Sequence, residues 1–141
     1  MKTRPSALIV ENNHVLLLRY NYAQNDVFAL PGGNPDAGET LTQALTRELT
    51  EELNIEVEIG ELLMIGEVLQ SPKRPDVLHC VFTATIIGGL PMLNAQHTTA
   101  QEVVWKPINA LPLLNLYPNI GQNITMMKGG YLGQIEQPFF E

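Results

Sequence analysis

Residues 33–55 constrain this chain more than any other stretch of its sequence. Apolar residues recur there at the spacing of a helix, at Leu41, Ala44, Leu45, Leu49 and Leu53. Thr40, with Gln43 three residues later, has the form of a capping box and predicts where the helix begins. Asn54 predicts where it ends, because asparagine is the usual second choice after glycine for a left-handed terminal residue.

The carboxylates of this helix fall on its apolar side. A rotation of about 100° per residue places Glu48 and Glu52 among the leucines and Glu51 at the edge of the apolar sector. A glutamate-rich helix is ordinarily a solvated face, but buried unpaired carboxylates are costly. Arg47 lies one turn from Glu51 and can pair with it, yet one arginine cannot neutralise three carboxylates. All-oxygen ligands without His or Cys favour Mg²⁺, with Mn²⁺ as a substitute.

A glycine turn precedes the helix. Val27 to Leu30 is predicted to be a short strand that ends at Pro31-Gly32-Gly33. Glycines let a backbone carbonyl or amide approach a ligand closely, although a plain strand-to-loop turn would use the same residues. Since the turn leads into the carboxylate helix, we expect Gly32 and Gly33 to belong to the same site.

Composition limits the classes of function. The 141 residues suit one domain, and the net charge of −7 without a Lys/Arg cluster disfavours nucleic acid and membrane surfaces as partners. Cys80 is the single cysteine, so neither an internal disulfide nor a paired-thiol metal site can form. The first residues lack the apolar run of a signal peptide, which predicts a cytoplasmic protein. We therefore expect a single domain over residues 1–141, with 131–141 as a candidate loose tail.

The remaining elements alternate between strands and short helices. Asn12-Asn13 predicts a tight hairpin turn, and 20–26 is predicted to be a surface loop. Strands are expected at 6–10, 14–19, 55–69, 77–87 and 102–106, and helical turns at 107–114 and 118–128. Strands mixed with helices predict an α/β sandwich with a mixed β-sheet.

The same 23 residues resemble the signature of Nudix hydrolases. That signature is a Gly, five residues, Glu, seven residues, Arg-Glu, an aliphatic residue, any residue, Glu-Glu, any residue, Gly and an aliphatic residue. The matching positions are Gly33, Glu39, Arg47, Glu48, Leu49, Glu51, Glu52 and Ile55. Asn54 replaces the last glycine, at a position that ends the helix. The resemblance implies an α/β/α sandwich and hydrolysis of a nucleoside diphosphate linked to another moiety.

The resemblance also implies roles for individual residues. Metal ligands would be Glu48, Glu51 and Glu52, with the Gly32 carbonyl as a further candidate. Glu48 or Glu52 would take the proton from the attacking water, and the sequence does not choose between them.

Other residues would support this centre or add to it. Arg47 would orient the carboxylates, and Glu39 would support the loop or a metal through water. Glu102 opens a predicted strand where relatives often place an extra carboxylate, although an exposed loop acid is an equal interpretation.

Substrate selection must come from residues outside the signature. Tyr20 and Tyr22 precede the glycine turn and are candidates for stacking on a base. Arg19 is a candidate phosphate contact, although arginines at strand ends are usually solvated. Tyr117-Pro118-Asn119 resembles the aromatic-Pro-Asp segment with which purine-nucleotide-sanitising relatives hold a base. A proline at the first position of a helix is the plain alternative for that segment.

The leading hypothesis is a Mg²⁺-dependent pyrophosphohydrolase of a nucleoside triphosphate or related nucleotide. ADP-ribose or a nucleotide sugar is the rival substrate, and a non-catalytic nucleotide sensor is the rival class. A purely structural helix-sheet domain is disfavoured by the inward direction of Glu48 and Glu52. The partner is expected to be a small nucleotide, and Phe139-Phe140 leaves a homodimer open.

Overall fold

The computed structural model describes residues 1–70 and 72–138, which form nine strands, two α-helices and a 3-10 helix. The strands are β1 (Lys2–Leu8), β2 (Val10–Glu11), β3 (His14–Tyr22), β4 (Asn25–Ala29), β5 (Glu56–Val68), β6 (Val77–Gly88), β7 (Glu102–Pro107), β8 (Leu116–Tyr117) and β9 (Gly130–Gln134). The helices are α1 (Leu41–Leu53) and α2 (Gly121–Thr125), with the 3-10 helix at Ile108–Leu113.

The strands form two mixed sheets. The first has the order β1-β6-β5-β9, in which β6 and β5 are antiparallel and the two outer pairs are parallel. The second has the order β2-β3-β4-β8, with β7 paired to β3, and only β4 and β8 run parallel. The predicted mixed α/β class is confirmed, and its strands are divided between two sheets.

Helices cover both faces of these sheets. Leu16 and Leu18 of β3 pack in a cluster with the leucines of α1, whereas Val15 and Leu17 pack in a second cluster with residues of the 3-10 helix and α2. Because successive side chains of a strand point to opposite faces, each central strand contributes to both clusters. The result is three layers, helix on sheet on helix.

Helix α1 begins and ends where the sequence predicted. The Thr40 hydroxyl accepts a hydrogen bond from the Gln43 amide at 3.1 Å, and the Gln43 side chain accepts one from the Thr40 amide at 2.9 Å. Asn54 adopts φ 57° and ψ 34°, the left-handed conformation that ends a helix. The capping box therefore fixes the register of every carboxylate that follows.

The first hairpin is confirmed, but the strand before it is divided. Asn12 and Asn13 have φ of 51° and 61°, as a tight turn requires. Residues 6–10, predicted as one strand, are split at Ile9, so that β1 joins the first sheet and β2 the second.

Three other local predictions were wrong. Residues 20–26 are the tip of a β3–β4 hairpin, because Ala23 and Gln24 adopt φ of 50° and 68° and close a tight turn. The helix expected at 118–128 is only Gly121–Thr125. The expected loose tail instead begins with β9, which pairs with β5, and is followed by the buried Ile135. Phe139-Phe140 lies outside the described residues.

Candidate active site

The glutamates of α1 lie along a cleft of about 950 Å³. Glu52 is only 8% exposed, and the side chain of Glu48 is 18% exposed, so both point inward as the helical periodicity predicted. Glu51 sits at the edge of the same face, with 36% of its side chain exposed. Glu48 and Glu52 line the cleft directly, together with Gly32 and Gly33.

Arg47 holds the outer side of this carboxylate group. Its guanidinium donates to both oxygens of Glu39, at 2.7 Å and 2.9 Å, in a two-pronged pair. One Nη donates to Glu48 at 3.1 Å and to Glu51 at 3.3 Å, and the other donates to the Asn34 carbonyl at 3.3 Å. Hydrogen bonds between ions of opposite charge are the strong ones, so Arg47 ties the loop to two carboxylates of the helix.

The glycine turn presses against the carboxylates. A Cβ on Gly33 would lie 2.4 Å from the carboxyl carbon of Glu48, and one on Gly32 would lie 2.2 Å from the Pro5 carbonyl oxygen. Any side chain at Gly33 would therefore displace Glu48. These contacts explain why the chain uses glycine at both positions.

Electrostatics separates two of the carboxyl groups. Burial, followed by the hydrogen bond and the charge of Glu48, raises the pKa of Glu52 to about 9. The Arg47 guanidinium, with the Asp36 amide, lowers the pKa of Glu39 to about 2. The Arg4 charge acts on Glu52 in the opposite direction, but it does not outweigh burial and Glu48, whereas Arg47 pairs closely with Glu39.

A divalent cation would supply the missing charge. Two adjacent carboxylates that repel one another are an oxygen donor set of the kind that Mg²⁺ and Mn²⁺ accept. The part of the chain that the structure describes contains no group of three His, Cys, Asp or Glu side chains already converged around one point. Mg²⁺ ordinarily binds through one or two carboxylates, waters and substrate phosphates, so the pair fits that mode of binding.

The other walls of the cleft come from elements that lie far away in the sequence. Tyr20 and Tyr22 form a stacked pair with ring centroids 5.9 Å apart, and Tyr117 lines the cleft with them. Arg4 and His97 also line it, and sequence reasoning missed both.

The loop that carries His97 is attached to the C-terminal end of α1. The Met92 amide donates to the Leu53 carbonyl, and the Asn94 amide donates to the Glu52 carbonyl, both at 2.9 Å. His97 Nδ1 consequently lies 3.7 Å from a Glu51 oxygen. No local pattern in residues 90–101 signals this attachment.

Outside the group around Arg47, three predicted site residues do not line this cleft: Arg19, Glu102 and Asn119. Arg19 pairs with Glu102 at 3.1 Å and with Asp26 at 3.2 Å on the outer side of the second sheet. The Asn119 side chain donates to the Glu136 carbonyl at 2.8 Å and holds the C-terminal segment. Of the proposed substrate contacts outside the signature, the three tyrosines Tyr20, Tyr22 and Tyr117 line the cleft, and Arg19 and Asn119 do not.

A sequence model of the NUDIX domain matches residues 1–125. The chain belongs to this family. It is therefore a Nudix hydrolase, an enzyme that acts on diphosphate bonds. Nudix hydrolases generally use divalent metal ions, in keeping with the carboxylate pair in the cleft.

Solved structures share the Nudix fold at low sequence identity. A MutT protein from Bacillus halodurans is 20% identical and superimposes with a TM-score of 0.75 over 100% of this chain and 94% of its own. A MutT NUDIX hydrolase from Burkholderia pseudomallei is 24% identical, with a TM-score of 0.67 over 77% of this chain and 84% of its own. An ADP-ribose pyrophosphatase from Streptococcus suis is 18% identical, with a TM-score of 0.68 over 92% of this chain and 97% of its own. No curated protein matches the sequence.

In this Nudix fold, the replacement of the last signature glycine leaves the helix end intact. Asn54 takes the left-handed conformation and its side chain donates to the Met92 carbonyl at 3.2 Å. The substitution thus adds a contact to the loop that carries His97. Among the described residues, no helix is long and apolar enough to cross a membrane.

Proposed function

We propose that this Nudix hydrolase cleaves the diphosphate of a small nucleotide, in first place a nucleoside triphosphate. Glu48, Glu51 and Glu52 hold Mg²⁺, with the Gly32 carbonyl as a further ligand, and Mn²⁺ is the natural substitute. The observation that carries the proposal is the Glu48–Glu52 pair in the wall of a large cleft, with Glu52 buried and Glu48 partly buried. Among the described residues, the arginines whose charge acts on this pair are Arg4, on Glu52, and Arg47, on Glu48.

The chemistry divides between metal and protein. The bound ion supplies neutralisation of the diphosphate and a water of lowered pKa. Glu48 and Glu52 lie side by side, and one of these carboxylates accepts the proton of the attacking water. Arg47 holds Glu48 and Glu51 in fixed rotamers through its hydrogen bonds. Gly33 leaves the space that the Glu48 carboxylate occupies.

A substrate panel tests the proposal. Nucleoside triphosphates, ADP-ribose and a nucleotide sugar are incubated with Mg²⁺, and release of phosphate, pyrophosphate or nucleoside monophosphate is measured. Wild type should hydrolyse at least one triphosphate, Glu52→Gln should lose about 100-fold or more of that activity, and the exposed control Glu58→Gln should match wild type. Equal turnover by wild type and Glu52→Gln would rule out the carboxylate mechanism.

The size of the cleft supports one further candidate within the same reaction class. A volume of about 950 Å³ is near the upper end of small-molecule sites, roughly 300–1,000 Å³. Such a cleft accommodates ADP-ribose or a nucleotide sugar, and one structural neighbour carries the name of an ADP-ribose pyrophosphatase. A higher kcat/KM for ADP-ribose than for every triphosphate in the panel would select this candidate.

A further inference from the structure

A group of buried polar atoms without partners surrounds Arg4, a residue that lines the cleft. Arg4 Nη1, Ser6 Oγ and both ring nitrogens of His79 are shielded from solvent and have no hydrogen-bond partner in the described chain. Arg4 and Ser6 are alternate residues of β1, and Arg4 lies directly opposite His79 of β6 in the parallel ladder. Native proteins seldom leave buried polar atoms unpaired, so ordered water or a ligand must supply the partners.

Arg4 and Tyr117 connect this group to the cleft. Both residues line it, and the Arg4 guanidinium carbon lies 4.9 Å from the centre of the Tyr117 ring. Arg4 Nη2 donates to the Leu30 carbonyl at 3.0 Å, which fixes the plane of the guanidinium. The His79 ring makes an edge-on contact with the Tyr117 ring, with the two ring centres 5.0 Å apart.

The group is rich in donors and poor in negative charge. A guanidinium donates hydrogen bonds and accepts none. His79 is fully buried, and burial together with the nearby Arg4 charge lowers its pKa to about 3, so the imidazole is neutral. The face of the Arg4 guanidinium lies against the Tyr117 ring. Its N–H groups lie at the edge of the guanidinium plane and can donate to a planar ligand.

We propose that Arg4 and Tyr117 form the nucleobase end of the cleft and select bases with a keto oxygen at purine position 6 or pyrimidine position 4 (keto bases) over bases with an amino group there (amino bases). The inference rests on the proposed function, because it names the substrate class of that site. The triphosphate chain would then extend from Arg4 towards the Gly32-Gly33 turn and the glutamates, which line the same cleft.

The selectivity follows from hydrogen-bond complementarity. Guanine O6 and uracil O4 accept from the guanidinium edge, whereas the amino groups at adenine N6 and cytosine N4 place a donor against a donor. A site built to pair with one pattern rejects the other because its own polar groups stay unpaired. Adenine nucleotides, ADP-ribose among them, are therefore disfavoured at this end.

Equilibrium binding of methylene-bridged, non-hydrolysable analogues of GTP, UTP, ATP and CTP tests the proposal. These four ligands share the ribose and the charged chain, so differences in Kd measured by calorimetry with Mg²⁺ report on the base. Wild type should bind the GTP and UTP analogues at least about 10-fold more tightly than the ATP and CTP analogues. Equal Kd values for the four, or binding of none, would overturn the proposal.

Variants of Arg4 identify the residue responsible. Arg4→Gln supplies both a donor and an acceptor, so the ratio of keto to amino affinity should fall towards one. Arg4→Lys remains a donor and should keep the preference at lower affinity, which covers the case in which Arg4→Gln does not fold. Lys2→Gln removes the same charge from an exposed position of β1 and should leave all four Kd values unchanged. If Arg4→Gln weakens all four analogues equally, Arg4 binds phosphate and the proposal is wrong.

Binding and hydrolysis separate the two proposals. Keto-selective binding without turnover of any nucleotide would contradict the proposed function and leave this inference intact. Turnover of nucleoside triphosphates with equal affinity for all four bases would contradict the inference alone.

Discussion

Two arginines flank the carboxylates of α1, and their surroundings differ sharply. Arg47, on the outer side, donates to Glu39, Glu48 and Glu51 and to a backbone carbonyl. Arg4, in the cleft, donates to the Leu30 carbonyl and leaves Nη1 without a partner in the described residues.

The difference separates structure from recognition. An arginine whose guanidinium nitrogens all donate to carboxylates or a backbone carbonyl has little capacity left for a ligand, so Arg47 keeps its neighbours in place. A guanidinium that stacks on a tyrosine and keeps a free nitrogen is available for a ligand. Residue type alone assigns neither role, because the partners decide it.

The largest effect is expected at Glu48, which Arg47 holds on one side and Glu52 contacts on the other. Glu48→Gln should lower kcat by about 100-fold or more, because it removes a metal ligand or the base itself. Millimolar Mg²⁺ should raise the melting temperature of wild type by linkage, and less so that of the variant. Steady-state kinetics and thermal scans measure both, with Glu58→Gln as the control. Full activity of Glu48→Gln would show that Arg47 does not support a catalytic carboxylate.

On the Arg4 side, a pH dependence of stability is expected from His79. Its pKa is lowered to about 3 in the folded state by burial and then by the Arg4 charge. As the pH falls, the unfolded chain therefore binds the proton before the folded protein does. The contribution of neutral His79 to the free energy of unfolding is complete above about pH 6.5. Below that pH it falls by about 1.4 kcal/mol per pH unit, down to the folded pKa.

His79→Phe should remove that part of the slope. Urea unfolding of wild type and His79→Phe between pH 7 and 4.5 gives the difference in slope, to which titrations shared by the two proteins do not contribute. If the free energies of unfolding of the two proteins changed with pH in parallel, His79 would be accessible to protons in the folded state, and its surroundings beside Arg4 would be open to solvent.

A smaller change is expected at Arg47. Arg47→Gln leaves the carboxylates of Glu39, Glu48 and Glu51 without their shared cation, and stability should fall by roughly 1 kcal/mol or more. Arg47→Lys keeps the charge but loses the two-pronged pair with Glu39 and should lie between the two. Chemical denaturation measures the series. If Arg47→Gln is as stable as wild type, the contrast between a structural Arg47 and a ligand-binding Arg4 fails.

The smallest change is expected for Asn54→Gly, at a position outside the contacts of both arginines. Asn54→Gly removes the Cβ that strains the left-handed conformation, which is stabilising, but it also removes the hydrogen bond to the Met92 carbonyl. The two effects oppose each other, so the free energy of unfolding should change by less than about 0.5 kcal/mol. Asn54→Ala keeps the Cβ and loses the bond, and should cost about 1–2 kcal/mol. A large loss of activity in Asn54→Gly at unchanged stability would show that the loop bearing His97 takes part in the reaction.

Local periodicity and capping predicted the central element of the molecule. Thr40 and Gln43 set the start of α1, Asn54 set its end, and the helical repeat then placed Glu48 and Glu52 inward without reference to any other part of the chain. The Asn12-Asn13 turn is local in the same way. The short-range chemistry of residues close in sequence is enough for such features.

Strand pairing decided what the sequence could not. Antiparallel pairing of β3 with β7 brings Arg19 to Glu102, so two predicted site residues neutralise each other away from the cleft lining. Parallel pairing of β5 with β9 turns the expected tail into an edge strand, with Ile135 packed where a Cβ on Gly66 would meet it at 2.5 Å.

The sequence by itself thus indicated the reaction class, through the resemblance of residues 33–55 to the Nudix signature, and its helical periodicity placed the carboxylates among the leucines of α1. Only the tertiary structure decided what surrounds that helix. Arg4 and His79 are neighbours because β1 and β6 pair in parallel across a long stretch of chain. Their contact depends on a register that no local pattern encodes, since sheet pairing joins segments through backbone hydrogen bonds that every residue type can make.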